Sequence, residues 1–418
     1  MRHITFLVVG HAKRAIERKH DEGFRLVDRW QGVCSGCIAD SALRVFVGGC
    51  GPVERCGFCG STGRHGLWLE DLFSYMAGCL RQEYDDPATG VAAWDSEEGT
   101  YWGVVPIDSD ELLGELDEPL GNDDLREAFV TAFDHEWCRA EPYRPTHDER
   151  LTNSWDGFSR YVKEESRYLF LHTGRSATAA ADVVEPDLVE PAAMLEELRV
   201  SIFNTGLIRR LPAGRKLFRA RQHPLEKTPA APGELGSPPR AAAGANRMSP
   251  AGIPMFYAAD DPVTALAELR LESYPRRATV AAWSTARELA FLDLANVDVP
   301  SIFHMTARGQ RPWRLFLHRF AGEVAEPVNS AAAGVEYVPT QIVTEFVRHE
   351  LLDSDGSPVR AICYRSATRP DGVSWVLFVD GGGCVEAQPG WQDNPNHWLG
   401  LDAASIRHFE PCWAESTR

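Results

Sequence analysis

Residues 246–270 read NRMSPAGIPMFYAADDPVTALAELR, and the order of residue types in this stretch decides the fold class. MFYAA (255–259) is short, apolar and aromatic, which predicts a strand. Asp260 and Asp261 then precede Pro262 and a run of helix formers, VTALAELRLESY. An acidic N-cap, proline at the first position and helix formers behind it predict a helix start. Glu268 falls two turns into that helix, so it is expected to project beside Tyr257 on the strand. Upstream, EKTPAAPGELGSPPRAAAGAN (226–246) is rich in Pro, Ala and Gly. An irregular loop of that length inside a domain is more often functional than structural. KLFRAR before the loop predicts another strand. Beyond it, ATVAAWS (278–284), LAFLDL (289–294), AICYRS (361–366) and WVLFVD (375–380) are strand-like, and TQIVTEFVRHELL (340–352) is helix-like. The C-terminal half is therefore mixed α+β.

Working outward, residues 66–200 read mostly helical. LWLEDLFSYMAGCL (67–80), DLREAFVTAFDHEW (124–137) and SWDGFSRYVKEESRYLF (154–170, with Ser154 as N-cap) carry apolar residues at helical spacing. DEPLGNDD and YWGVVPIDSD read as connections, and DVVEPDLVEP (182–191) as a boundary before a short helix, AAMLEELRV. The expected organisation is an N-terminal segment (1–65), a helical acidic module (66–205) and a C-terminal domain (206–418). Residues 11–30 are charged with a thin apolar stripe. The opening apolar run, Ile4 to Val9, is far below the ~18 residues of a membrane span and has no cleavage site after it. A soluble, unexported, cytoplasmic protein is the expectation.

The chain has 418 residues, 44% of them hydrophobic and 25% charged, which excludes wholesale disorder, collagen and coiled coil. The net charge of −17 is uneven. Residues 81–150 hold 20 acidic against 5 basic side chains, whereas residues 201–250 hold nine basic and two acidic. The whole-chain field disfavours a polyanion such as DNA. A small phosphorylated ligand at the basic segment is compatible with it. The acidic block reads most simply as a solvated face.

Cys34-x-x-Cys37 is followed, after 18 residues, by Cys56-x-x-Cys59. Two CxxC pairs at this gap fit a tetrahedral structural zinc site, with Gly36, Gly57 and Gly60 easing the tight turns. Buried free thiols and a redox CxxC are the plainer readings. Cys50 is an extra thiol and a weak substitute ligand.

A second constellation gathers Arg219, Arg221 and Arg247 beside the long loop, Tyr257 on a strand and Glu268 on the next helix. Arginines bind a pyrophosphate through bidentate, charge-assisted bonds. A tyrosine ring stacks on a flat base. A carboxylate orients ribose hydroxyls and stabilises an oxocarbenium-like centre. Each residue taken alone also has a structural reading. No G-x-G-x-x-G after a strand, no Walker loop and no G-x-S-x-G is present, and Gly381-Gly-Gly-Cys384 reads as a hairpin turn.

The same stretch, with PTQIVTEF and the later YRS and LF strand, resembles the core of the RES domain over about 206–385. The resemblance implies an ADP-ribosyltransferase-like α+β fold and consumption of NAD+ by phosphorolysis or hydrolysis, as in toxin–antitoxin pairs and antiphage defence. It places the family's invariant Arg, Glu and Ser on Arg219 or Arg247, Glu268 and Ser366. Glu268, Tyr257 and Arg247 are the expected catalytic group. Arg219, Arg221, Gln341, Arg365 and Ser366 are the expected substrate-binding group. Met248-Ser249 stands where the shorter RES toxins have Trp-Asn after the arginine, which fits the longer variant of the family. CSGCIADSALRVFVGG, CGFCG and the helical stretch after them are similar to the zinc-knuckle and HEPN-associated region of that longer variant. The resemblance also implies an antitoxin or regulatory protein as partner, and leaves the oligomeric state and the phosphate or water acceptor open.

Two rival functions stand beside it. Arg167 and His172 form an Arg-x4-His on a predicted helix, the pattern of HEPN ribonucleases, although the acidic surroundings oppose RNA. A non-catalytic binding scaffold is the other.

Overall fold

The computed structural model describes residues 24–26, 30–170, 188–269, 277–327 and 333–410. They form two compact units. One runs to Thr146 and includes Pro300–Arg311; the other takes His147–Val299 and the chain from Pro312.

In the first unit the elements are β1 (Gly32–Cys34), α1 (Ser41–Gly48), β2 (Gly66–Trp68), α2 (Leu69–Leu80), β3 (Tyr84–Asp85), β4 (Trp94–Asp95), β5 (Thr100–Tyr101), α3 (Ser109–Glu115), α4 (Asp123–Ala132) and β6 (Cys138–Arg139). Its strands pair only two by two: β1 with β2, β3 with β6, β4 with β5. The core therefore comes from the helices. Leu69, Leu72, Phe73, Met76 and Leu80 of α2 lie on one buried stripe, and Phe73 meets Phe129 of α4 edge to face at 5.3 Å. The caps are local. Asp108 and Glu111 form a capping box on α3, and Asn122 accepts from Leu125 N–H at the start of α4. Both N-caps, Asp108 and Asn122, fall inside segments expected to be connections. Helix α4 stops at Ala132, short of the expected 137. Ser109 donates to the Phe133 carbonyl at 2.6 Å and accepts from the Trp137 indole at 2.8 Å, which draws residues 133–137 off the helix axis.

In the second unit, α5 (His147–Glu164) and α6 (Met194–Thr205) precede β7 (Ile208–Leu211), β8 (Lys216–His223), α7 (Pro232–Leu235), β9 (Phe256–Ala259), α8 (Pro262–Ala267), β10 (Arg277–Thr285) and β11 (Leu289–Asp293). Then come α9 (Arg311–Ala325), α10 (Ala333–Glu336), α11 (Val338–Glu350), β12 (Val359–Arg365), β13 (Val373–Leu377), β14 (Cys384–Glu386), β15 (Leu399–Leu401) and β16 (Arg407–Phe409). The strands build one mixed sheet in the order β14-β15-β10-β8-β9-β13-β12-β11-β7, with β16 also on β10. Only β11–β12 and β14–β15 run parallel. Alternation along the strands feeds two cores. Phe256, Phe291, Ala361, Cys363, Trp375 and Leu377 face one layer. Leu292, Ile362, Tyr364 and Val376 face the other, against Trp155, Leu198, Phe320 and Val347 of the helices.

Two expectations are corrected here. Helix α5 begins at His147, so Ser154 is not an N-cap but a mid-helix residue whose hydroxyl back-bonds the Arg150 carbonyl at 2.6 Å. It ends at Glu164, where Glu165 and Ser166 N–H both turn to the Tyr161 carbonyl. Gly381–Gly383 is not a hairpin turn. Asp380 caps it as a short 3-10 turn, and β13 and β14 on either side pair with different strands. The compact units divide at 146/147. Leu151, Phe158, Leu198 and Ile202 of α5 and α6 bury themselves in the core beneath the large sheet, not in the acidic module.

Candidate functional site

The site begins where two neighbouring strands of the sheet separate. β8 pairs along eight residues with β10, but with β9 only at Phe218 and Ala259. Away from that pair the Tyr257 carbonyl has no ladder partner on the β8 side. Arg219 supplies one: its Nη1 donates to Tyr257 O at 2.6 Å and its Nε to Leu235 O at 3.0 Å, with the guanidinium over the Phe256 ring. Burial lowers the Arg219 pKa to about 10, which leaves it cationic at neutral pH.

A cleft of about 550 Å³ opens at this divergence. Arg219, Arg221, Arg247, Tyr257 and Glu268 all line it. With three guanidinium groups and one carboxylate on its walls, the cleft is net cationic in a chain of charge −17. Arg221 donates to the Glu234 carbonyl, which ties it to α7 in the long loop. Arg247 lies over the Tyr337 ring and donates to the Glu326 carbonyl just past the end of α9, where a cation is favoured.

Tyr257 reaches the cleft because its register partner is Val376 of β13, whose neighbour Ser374 is opposite Tyr364 of β12. These four positions share one face of the sheet. Burial raises the Tyr257 phenol to about 12, and its hydroxyl shares a hydrogen bond of 2.9 Å with Ser249. The side chain is therefore a protonated ring and hydroxyl at any working pH.

Glu268 is placed by the helix the sequence predicted. The Asp261 carboxylate accepts from Val263 N–H and Thr264 N–H and from the Thr264 hydroxyl, and Pro262 opens the turn. Helix α8 is shorter than expected, and Glu268 is its C-cap. Residues 270–276 lie outside the described residues. One carboxylate oxygen, Oε1, accepts from the hydroxyls of Ser366 and Ser374, the latter at 3.2 Å, with Thr368 Oγ1 at 3.5 Å. Ser366 is aimed by accepting the Arg369 N–H at 3.1 Å. No described group bonds the second oxygen, Oε2.

The remaining expected residues fall in different places. Ser366 sits behind Glu268. Gln341 is not on the cleft wall; its amide donates to the Asn246 and Ser249 carbonyls at 2.8 and 3.2 Å and so holds the turn that carries Arg247. Thr340 assists by donating to the Arg247 carbonyl at 2.7 Å. Arg365 is exposed, away from the cleft, and reaches only Asn296 at 3.4 Å. Arg167 is not on a helix, because α5 has ended; it lies exposed in a bend, and His172 lies outside the described residues. Ser249, Ser374, Thr368, Tyr364 and Tyr337 were missed. Ser249 had a signal in its place in the Arg247 turn, and Tyr364 in the YRS stretch.

The four cysteines of the first unit close on one point. Their Sγ atoms lie within 4.8 Å of one another, with Cys34–Cys59 at 3.5 Å, Cys37–Cys56 at 3.7 Å and Cys34–Cys37 at 4.0 Å. A disulfide needs ~2.05 Å. A tetrahedron with metal–sulfur bonds of ~2.3 Å has edges of ~3.8 Å. The group fits a metal ion of that preference. Burial and neighbouring thiols push Cys34 and Cys37 up, while hydrogen bonds from Ser61 bring the exposed Cys59 down to about 6. Cys50 stands outside the cluster and bonds the Phe46 carbonyl. Among the described residues no helix is long and apolar enough to cross a membrane.

Comparison with protein families gives two matches. Residues 216–398 match the RES domain, and residues 51–176 match HEPN/RES N-terminal domain 1. No curated protein and no solved structure matched the chain.

Proposed function

We propose that this chain, a RES domain behind a HEPN/RES N-terminal domain, is an NAD+-consuming enzyme that cleaves the nicotinamide–ribose bond. The observation that carries the reading is the cationic cleft in which one carboxylate faces three arginines and a tyrosine. NAD+ offers each of them a partner. Arg219, Arg221 and Arg247 are suited to the pyrophosphate, the only strongly anionic part of the molecule. The Tyr257 ring stacks on the nicotinamide or its ribose. Glu268 accepts from the ribose hydroxyls through Oε2 and stabilises the positive charge that grows at C1 of that ribose.

In the step itself the C1–N bond breaks and its electron pair goes to the nicotinamide ring nitrogen. That nitrogen is already cationic, so the leaving group departs neutral and needs no proton. An oxygen of phosphate or water then bonds to C1, and its proton passes to solvent. An ADP-ribosyltransferase-like arrangement of the sheet and a toxin or defence role, silenced by an antitoxin or regulatory protein, are the biological extension of the same reading. The Cys34, Cys37, Cys56 and Cys59 thiolates would hold one zinc ion, whose four filled positions make it structural.

The test is purified protein with NAD+, with and without phosphate, and identification of the products. Free nicotinamide with ADP-ribose, or with its 1-phosphate when phosphate is present, is expected. Intact NAD+, alongside RNA cleavage that persists in Glu268→Ala, would overturn the proposal.

A further inference from the structure

The acidic stretch of the first unit takes no part in the cleft chemistry, yet it exposes large apolar side chains. Trp94 is 59% exposed, Trp102 66%, Val105 88% and Tyr143 49%. Single exposed hydrophobics need no explanation, but a group of them does. Trp94 and Trp102 belong to one hairpin, and Tyr143 packs against it. Trp94 and Tyr101 face each other across β4 and β5 with ring centroids 5.1 Å apart, and Trp102 lies 6.0 Å from Tyr143. The Tyr143 hydroxyl accepts from Ala93 N–H and donates to the Trp102 carbonyl, both at 3.0 Å, which ties the 141–143 segment to the hairpin. The hairpin turn is fixed as well. Asp95 Oδ1 accepts from Glu97 and Glu98 N–H, and Gly99 takes φ +67°.

The charge around these rings is mainly negative, with Arg144 beside Tyr143 as the basic exception. Asp95, Glu97 and Glu98 in the turn, Glu136 near Tyr101 in space and Glu141 two residues before Tyr143 make no ion pair with any described residue. Asp86 and Glu136 lie close enough to Tyr101 to add to the effect of burial in raising its phenol. Aromatic faces attract cations, and Trp and Tyr are the residues that concentrate binding energy in interfaces. Phosphates of nucleic acids or anionic lipids would be repelled here.

We infer that the β4–β5 hairpin is a docking surface for an Arg- or Lys-rich segment of another protein. Its cationic side chains lie against Trp94 and Trp102 and pair with Glu97 and Glu98.

The test uses the full chain and two labelled nonapeptides, one of alternating Arg and Gly, the other with Glu in place of Arg. The Arg peptide is expected to bind, and to bind at least about tenfold more weakly to a Trp94→Ser/Trp102→Ser variant, which leaves the charge unchanged. Raising salt from about 50 to about 300 mM is expected to weaken it severalfold. Unchanged amide exchange over the rest of the first unit in the variant shows that this unit is still folded. Four results would overturn the inference: no binding of the Arg peptide, equal binding to the variant, equal binding of the Glu peptide, or a homodimer that the two substitutions dissolve.

Discussion

The cysteine cluster and the cationic cleft are built in opposite ways. The cluster draws four identical ligands from a span of 26 residues, Cys34 to Cys59, and closes them on a single point. The cleft draws different side chains from Arg219 to Trp375, carried by β8, the long loop, β9, the end of α8, and β12 and β13. The first, on the proposed reading, needs an ion to hold it together; the second is held by a sheet built from the chain alone. A local site and a distributed site should therefore fail differently.

The largest effect is expected at the cluster. Structural zinc is worth on the order of 10 kcal/mol to the fold around it, so chelation, or Cys37→Ser, should loosen residues 30–68. The large sheet should keep its amide protection. Metal analysis of a clean preparation with hydrogen exchange checks both halves, and a metal-free protein with an intact first unit would break the comparison.

Next comes Glu268→Gln, which keeps shape and polarity but removes charge. A loss of about 3 kcal/mol, a hundredfold or more in kcat, is expected with little change in NAD+ binding. Normal turnover would remove Glu268 from the mechanism. Arg219→Met should show the reverse split: the removal of charged hydrogen bonds costs about 1.5–3 kcal/mol and appears mainly in KM. Ser374→Ala leaves Glu268 Oε1 with one donor fewer, and a loss of about 1 kcal/mol, near fivefold in kcat, is expected.

The smallest effect concerns pH. The Tyr257 phenol is raised to about 12, so it stays protonated throughout the working range. Tyr257→Phe keeps the ring and should give a kcat/KM profile parallel to the parent up to about pH 10. A profile that loses a limb on this substitution would make Tyr257 an acid or base.

The same contrast explains what could be read in advance. The cysteine spacing, the Asp261–Pro262 helix start and the strands bearing Arg219 and Tyr257 are short-range signals, and each is present in the fold. Ser374 and Thr368 had no such signal. They reach Glu268 from about 100 residues away, and a hydroxyl on a strand looks like any other until the register puts it opposite Tyr364. Arg365 was misplaced by its motif, because the side chain next to a useful one on a strand faces the other way. Ser154 was read as a cap because a serine before an apolar run usually is one; here it bends back on its own helix. The acidic block reads as a solvated face by composition, which does not reveal that Trp94 and Trp102 stand exposed within it.

The single residue pair between β8 and β9 has a mechanical consequence. A sheet zipped along its whole length resists bending, but one joined at Phe218 and Ala259 alone has a seam, and Arg219 is the stitch across it. A ligand whose phosphates engage Arg219 and whose ring lies on Tyr257 would grip both lips of that seam at once. Occupancy should then slow amide exchange along β8 and β9 more than anywhere else in the sheet. Enzyme and substrate would share one joint, so that seating the substrate also finishes the sheet.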